Sequence, residues 1–110
     1  MKVFYGGKFI EKSKLEEVGI YYPVKLEYYK MIENPGENQK GITKFGISIV
    51  KTAYIPDNIN IDTKDIKNLS EDELKVEKIL SIFKENEVTP LNAEEIIYDL
   101  EKEYFIQETI

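Results

Sequence analysis

The chain has 110 residues and a formal net charge of −6, and 42% of its residues are aliphatic or aromatic, enough for one domain with a substantial core. It contains no cysteine, histidine or tryptophan, and all fifteen basic residues are lysines. That inventory excludes disulfides, thiolate and imidazole metal sites, and the Ser–His and Cys–His nucleophiles of common hydrolases.

Along the chain, a short strand is expected within Val3–Val18. Gly6, Gly7 and Lys8 interrupt any signal-peptide pattern there, and no run approaches the ~18 apolar residues of a membrane span, so a cytoplasmic protein is expected. Ile20–Ile32 alternates: Ile20, Tyr22, Val24, Leu26, Tyr28 and Ile32 share one face, with Lys30 intruding. Period 2 with β-branched and aromatic residues predicts a strand with one buried face, and Pro23 marks an edge, a bulge or the strand's start. Glu33–Gly41 reads as a loop around the Asn34-Pro35-Gly36 turn signal. Phe45–Ile55 alternates again, with Phe45, Ile47, Ile49, Ala53 and Ile55 on one face, and predicts an antiparallel hairpin with the preceding strand. Pro56-Asp57-Asn58 forms a corner before another short strand within Asn58–Ile66.

The period then changes. Ser70-Glu71-Asp72-Glu73 has the capping-box pattern, and Leu74, Val76, Ile79, Leu80 and Phe83 supply a helical stripe as far as about Asn86. Val88-Thr89-Pro90 is a break. Thr89 or Asn92 caps a second helix whose stripe is Ala93, Ile96, Ile97, Leu100 and Tyr104. The whole predicts a single α+β domain over residues 1–110. An antiparallel sheet of about three to five strands (1–67) precedes a two-helix hairpin (70–105) packed on one face.

Charge divides at nearly the same place. Residues 1–67 carry eleven lysines against nine acids, net +2; residues 68–110 carry four lysines against twelve acids, net −8. Glu94, Glu95 and Asp99 form the densest carboxylate cluster, with Glu95 and Asp99 one helical turn apart. Its plainest meaning is a solvated helix face at the positive end of the dipole. Tyr21, Lys25, Tyr29 and Lys30 place rings beside cations, but an acidic chain without arginine is a poor nucleic-acid reader. No cofactor or metal, no nucleic-acid partner and no membrane partner is expected.

The segments Phe45-Gly46-Ile47-Ser48-Ile49 and Asn86-Glu87-Val88-Thr89-Pro90 resemble two motifs of a small family from clostridia and relatives, known only as a domain of unknown function. Its members have a strand-rich front, a helix, an Asn-x-Val-Thr/Ser-Pro turn and a second helix. The likeness covers about Ile20 to Tyr104. It implies this architecture and a Firmicutes source, with no activity attached. Members often carry a histidine shortly after the proline, where this chain has Asn92.

With the catalytic inventory missing, the expected role is a non-enzymatic protein-binding or regulatory module. Tyr21, Tyr29, Glu94, Glu95 and Asp99 are its candidate interaction residues, since tyrosine is enriched in recognition surfaces. The alternative is an acidic nucleic-acid mimic that occupies a basic nucleic-acid-binding protein. The partner and the oligomeric state are not legible at this level.

Overall fold

A computed structural model describes residues 1–35 and 41–105, with side chains as far as Glu103. The loop residue Gly36 and the side chain of Tyr104 lie outside the described ones. Four strands form one antiparallel sheet: β1 (Lys2–Ile10), β2 (Val24–Glu33), β3 (Lys44–Ile55) and β4 (Asn58–Ser70), in spatial order β1-β2-β3-β4. A short helix, α1 (Lys12–Leu15), and a 3-10 turn (Glu16–Val18) link β1 to β2. Two further helices, α2 (Glu73–Glu85) and α3 (Ala93–Leu100), follow the sheet, and a π-helical turn spans Glu101–Phe105. The chain is thus α+β, with its C-terminal helices packed on the sheet.

The β2–β3 ladder runs unbroken from Val24 opposite Ala53 to Glu33 opposite Lys44. Its alternation puts Val24, Leu26, Tyr28, Ile47 and Ile49 on the face covered by helices, where all are buried. From α2, Val76, Ile79, Leu80 and Phe83 are fully buried against them, and Ala93, Ile97 and Leu100 of α3 complete the core. Truncating a side chain such as Phe83 in this setting costs about 3–5 kcal/mol. β2 starts at Val24 because Pro23 has no N–H to offer; its carbonyl still accepts from Tyr54 at 3.0 Å.

Two corners depart from the sequence expectation. β4 extends to Ser70, which pairs with Phe45, beyond the expected end at Ile66. Held in the ladder, Ser70 does not cap the helix. Asp72 does, its carboxylate accepting from the N–H groups of Leu74 (3.0 Å) and Lys75 (3.4 Å), while the Ser70 hydroxyl accepts from Asp72 N–H at 3.0 Å. The ladder also shifts register between Phe45 and Ile47. There Gly46 lies so close to β4 that a Cβ would overlap the Ile66 carbonyl oxygen. The glycine of the Phe-Gly-Ile element is therefore a contact requirement of this irregularity.

One buried polar tie fixes the helical layer. The Tyr28 hydroxyl, beneath the helices, donates to the Val88 carbonyl at 2.8 Å and anchors the turn before Pro90 to the middle of the sheet. Burial, followed by the charge of Glu87, pushes the Tyr28 phenol well above its ordinary value of 10.0.

Candidate functional site

Helices cover one face of the sheet and leave the other open. Paired positions in the ladders share a face, so Phe4, Tyr29, Ser48 and Asp65 lie in one row of the open face, and Phe9, Lys25, Thr52 and Ile61 in another. Between these rows sit Gly7, Glu27, Val50 and Thr63. Tyr54 and Ile59, opposite each other, extend the face toward the β3–β4 turn.

Apolar side chains dominate one end of this face. Phe9 (60% exposed), Ile59 (62%) and Ile61 (61%) project from it, and the Phe9 and Tyr54 rings stand 6.2 Å apart. Phe4 (58% exposed) meets Tyr29 edge-on at 5.6 Å near the other end. Single exposed apolar residues are ordinary, but these are neighbours on one surface.

The charged groups of the face neutralise one another. Asp65 accepts from Ser48 Oγ at 2.5 Å and from Lys2 Nζ at 3.0 Å. The Ser48 hydroxyl first, and then Lys2, hold the Asp65 carboxyl below its usual range. Glu27 takes the Tyr29 hydroxyl at 2.9 Å and Lys25 Nζ at 3.4 Å. The Glu27 carboxylate raises the pKa of both Tyr29 and Lys25. Each of these two carboxylates is paired with a lysine, and Lys67 also acts on Asp65, so these rows carry no acidic excess although the chain carries −6.

The helical side is also knit by charge. Lys30 binds Glu73 (2.8 Å) and Glu77 (2.9 Å), Lys8 binds Glu87 (3.7 Å), and Lys64 binds Glu94. The basic front and the acidic back are joined through these pairs. A shallow cleft of about 580 Å³ opens between the β3–β4 arm and the Thr89-Pro90-Leu91 turn. Lys51, Lys64, Asp62 and Glu94 line it, a balanced set with no excess charge to attract an anion or a cation. Among the described residues, no three carboxylates converge on a metal-sized site.

The candidate residues from the sequence do not form one surface. Tyr29 belongs to the open face. Tyr21, 66% exposed, lies in the segment leading into β2. Glu94 reaches the cleft on the helical side, and Glu95 and Asp99 are exposed on α3. Phe4, Phe9, Ile59 and Ile61 carry the open face and were not singled out by sequence. Ile59 and Ile61 alternate along β4, whereas Phe4 and Phe9 are five positions apart and reach one face only through the register shift between Phe4 and Gly6.

The model of a family of unknown function, DUF6514, matches residues 8–103. The chain belongs to this family. The match takes in both motifs that carry the resemblance, and the DUF6514 fold now gives them reasons: Gly46 permits the β3–β4 contact, and Val88 receives the Tyr28 hydroxyl. Comparison with curated proteins and with solved structures finds no match. Among the described residues, no helix is long and apolar enough to cross a membrane.

Proposed function

We propose that this DUF6514 chain is a non-enzymatic, cytoplasmic protein-binding module that uses the open face of its sheet. The carrying observation is the cluster Phe9, Tyr54, Ile59 and Ile61 on a surface whose carboxylates Glu27 and Asp65 are paired with lysines, in a chain that is acidic as a whole. An apolar protein surface suits that face, because neither a phosphate backbone nor a charged membrane gains from it. Four strands about 4.8 Å apart and about ten residues long present roughly 600 Å². That is below the ~800 Å² per partner of a standard stable complex, so it fits a transient partner.

The nucleic-acid mimic draws less support. Mimicry needs a contiguous patch of unpaired carboxylates, and Glu73, Glu77, Glu87 and Glu94 are already bound to sheet lysines.

The test is quantitative affinity purification from the native host with three baits: wild type, Phe9→Lys/Ile61→Lys and Glu95→Lys/Asp99→Lys. The first double variant should lose the specific partner and the second should keep it. Loss only with the helix variant would replace this reading with an acidic helix surface.

A further inference from the structure

β4 is an edge strand that hydrogen-bonds on one side only. Its ladder with β3 runs without a break from Asn58 to Ile66, nine residues with no proline and no bulge. The other edge, β1, is blunted by a register shift between Phe4 and Gly6. Edge strands are ordinarily shortened, bulged or guarded by like charges, because the outward N–H and C=O groups invite another strand. β4 carries charges, but of both signs: Asp62 and Lys64 flank Thr63 on the helical face, and Asp65 lies on the open face.

Within the unbroken run that order is self-complementary in one register; the register about Ile66, which sets Asp65 against Lys67, needs the part of β4 past the regular ladder, where Asn68 has a positive φ of 53°. When two copies of β4 pair antiparallel with Thr63 opposite Thr63, each Asp62 stands opposite the other copy's Lys64 and joins the ion pair that Lys64 makes with Glu94 of its own copy. The two-fold axis generates that pair twice. Moving the axis to residue 62 sets Asp62 against Asp62; moving it to residue 64 sets Lys64 against Lys64. At residue 65, Asp65 faces Asp65, and at residue 61 Asp62 and Lys64 face asparagines. Cross-strand opposite charges and threonine pairs stabilise a ladder, and like charges oppose it, so the pattern selects the Thr63-centred register. Leu91, 92% exposed, lines the same cleft as Asp62, Thr63 and Lys64, at the border the second copy would reach.

We propose that the chain forms a two-fold dimer by antiparallel β4–β4 pairing centred on Thr63. The partner is a second copy, and the product is one eight-stranded sheet with all helices on one face and a continuous open face on the other. This inference stands apart from the binding reading, since it uses the strand edge and not the open face.

Charge reversal tests it. Sedimentation velocity up to roughly 1 mM should show wild type passing from monomer to dimer. Asp62→Lys alone and Lys64→Asp alone each place like charges opposite one another and should weaken dimerisation roughly tenfold or more. An equimolar mixture of the two restores both opposite-charge pairs and should recover the dimer, which no folding defect mimics. The chain has no cysteine, so Thr63→Cys adds a lone thiol opposite its symmetry mate, at the about 4.5–5.5 Å Cα spacing that a disulfide spans. It should oxidise to a covalent dimer faster than Ile61→Cys. A wild type that stays monomeric, a mixture no better than either variant alone, or Ile61→Cys linking ahead of Thr63→Cys would each overturn the proposal.

Discussion

Tyr28→Phe isolates one buried hydrogen bond. The ring stays, so no cavity opens, and only the hydroxyl that donates to the Val88 carbonyl at 2.8 Å is lost. Tyr28 is fully buried and Val88 is 2% exposed, so water cannot readily replace the donor. Leaving a buried carbonyl unsatisfied costs about 1–3 kcal/mol. With an unfolding entropy of about 2.1 cal/mol/K per residue near the midpoint, 110 residues give roughly 0.23 kcal/mol/K. Each kcal/mol therefore lowers Tm by about 4 °C, and the variant should melt about 4–13 °C lower by circular dichroism at fixed protein concentration. A second readout is alkaline pH. The buried phenol titrates above its ordinary 10.0, so above that pH the unfolded chain has released a proton that the folded chain retains. Wild-type stability then falls as pH rises through about 10, and the phenylalanine variant lacks this loss. The gap between the two proteins should narrow there. A Tm change under about 2 °C at neutral pH, with a gap constant into alkali, would refute the role of this bond.

Two further substitutions probe the corners. Gly46→Ala should destabilise by about 1–3 kcal/mol in urea unfolding, because the obstructing atom is the Ile66 backbone carbonyl and not a side chain that can rotate away. Asp72→Ala should cost about 0.5–2 kcal/mol in the same assay, and Ser70→Ala less, since Asp72 serves the first N–H groups of α2 and Ser70 serves only Asp72 itself.

The central hairpin was legible because both its strands have one fully covered face. Val24, Leu26 and Tyr28 alternate against Ile47 and Ile49, and burial enforces the period. β4 was legible only in part. Its arm from Asn58 to Thr63 is exposed on both faces, so polar and apolar positions follow no burial contrast, and its last residues look like a helix cap until Phe45 is seen opposite Ser70. The charge division was visible in the sequence, but its meaning depended on which lysine meets which acid. Lys30 bridging Glu73 and Glu77 spans more than forty positions and has no local signature. Tyr29 was identifiable as a surface residue from its alternation with Tyr28. Its company of Phe4, Phe9 and Ile61 came from three strands at once.

The neighbour-to-neighbour strand order has a kinetic consequence. Every sheet pairing closes a hairpin between elements adjacent in the chain, so the entropy of ring closure is met in small, local instalments. Contacts between the helical layer and the sheet, such as Tyr28 to Val88 and Lys8 to Glu87, reach across sixty positions or more and close larger rings. Side chains such as Phe83, whose contacts wait for the helical layer to dock, should govern how fast the native state comes apart more than how fast the strands assemble.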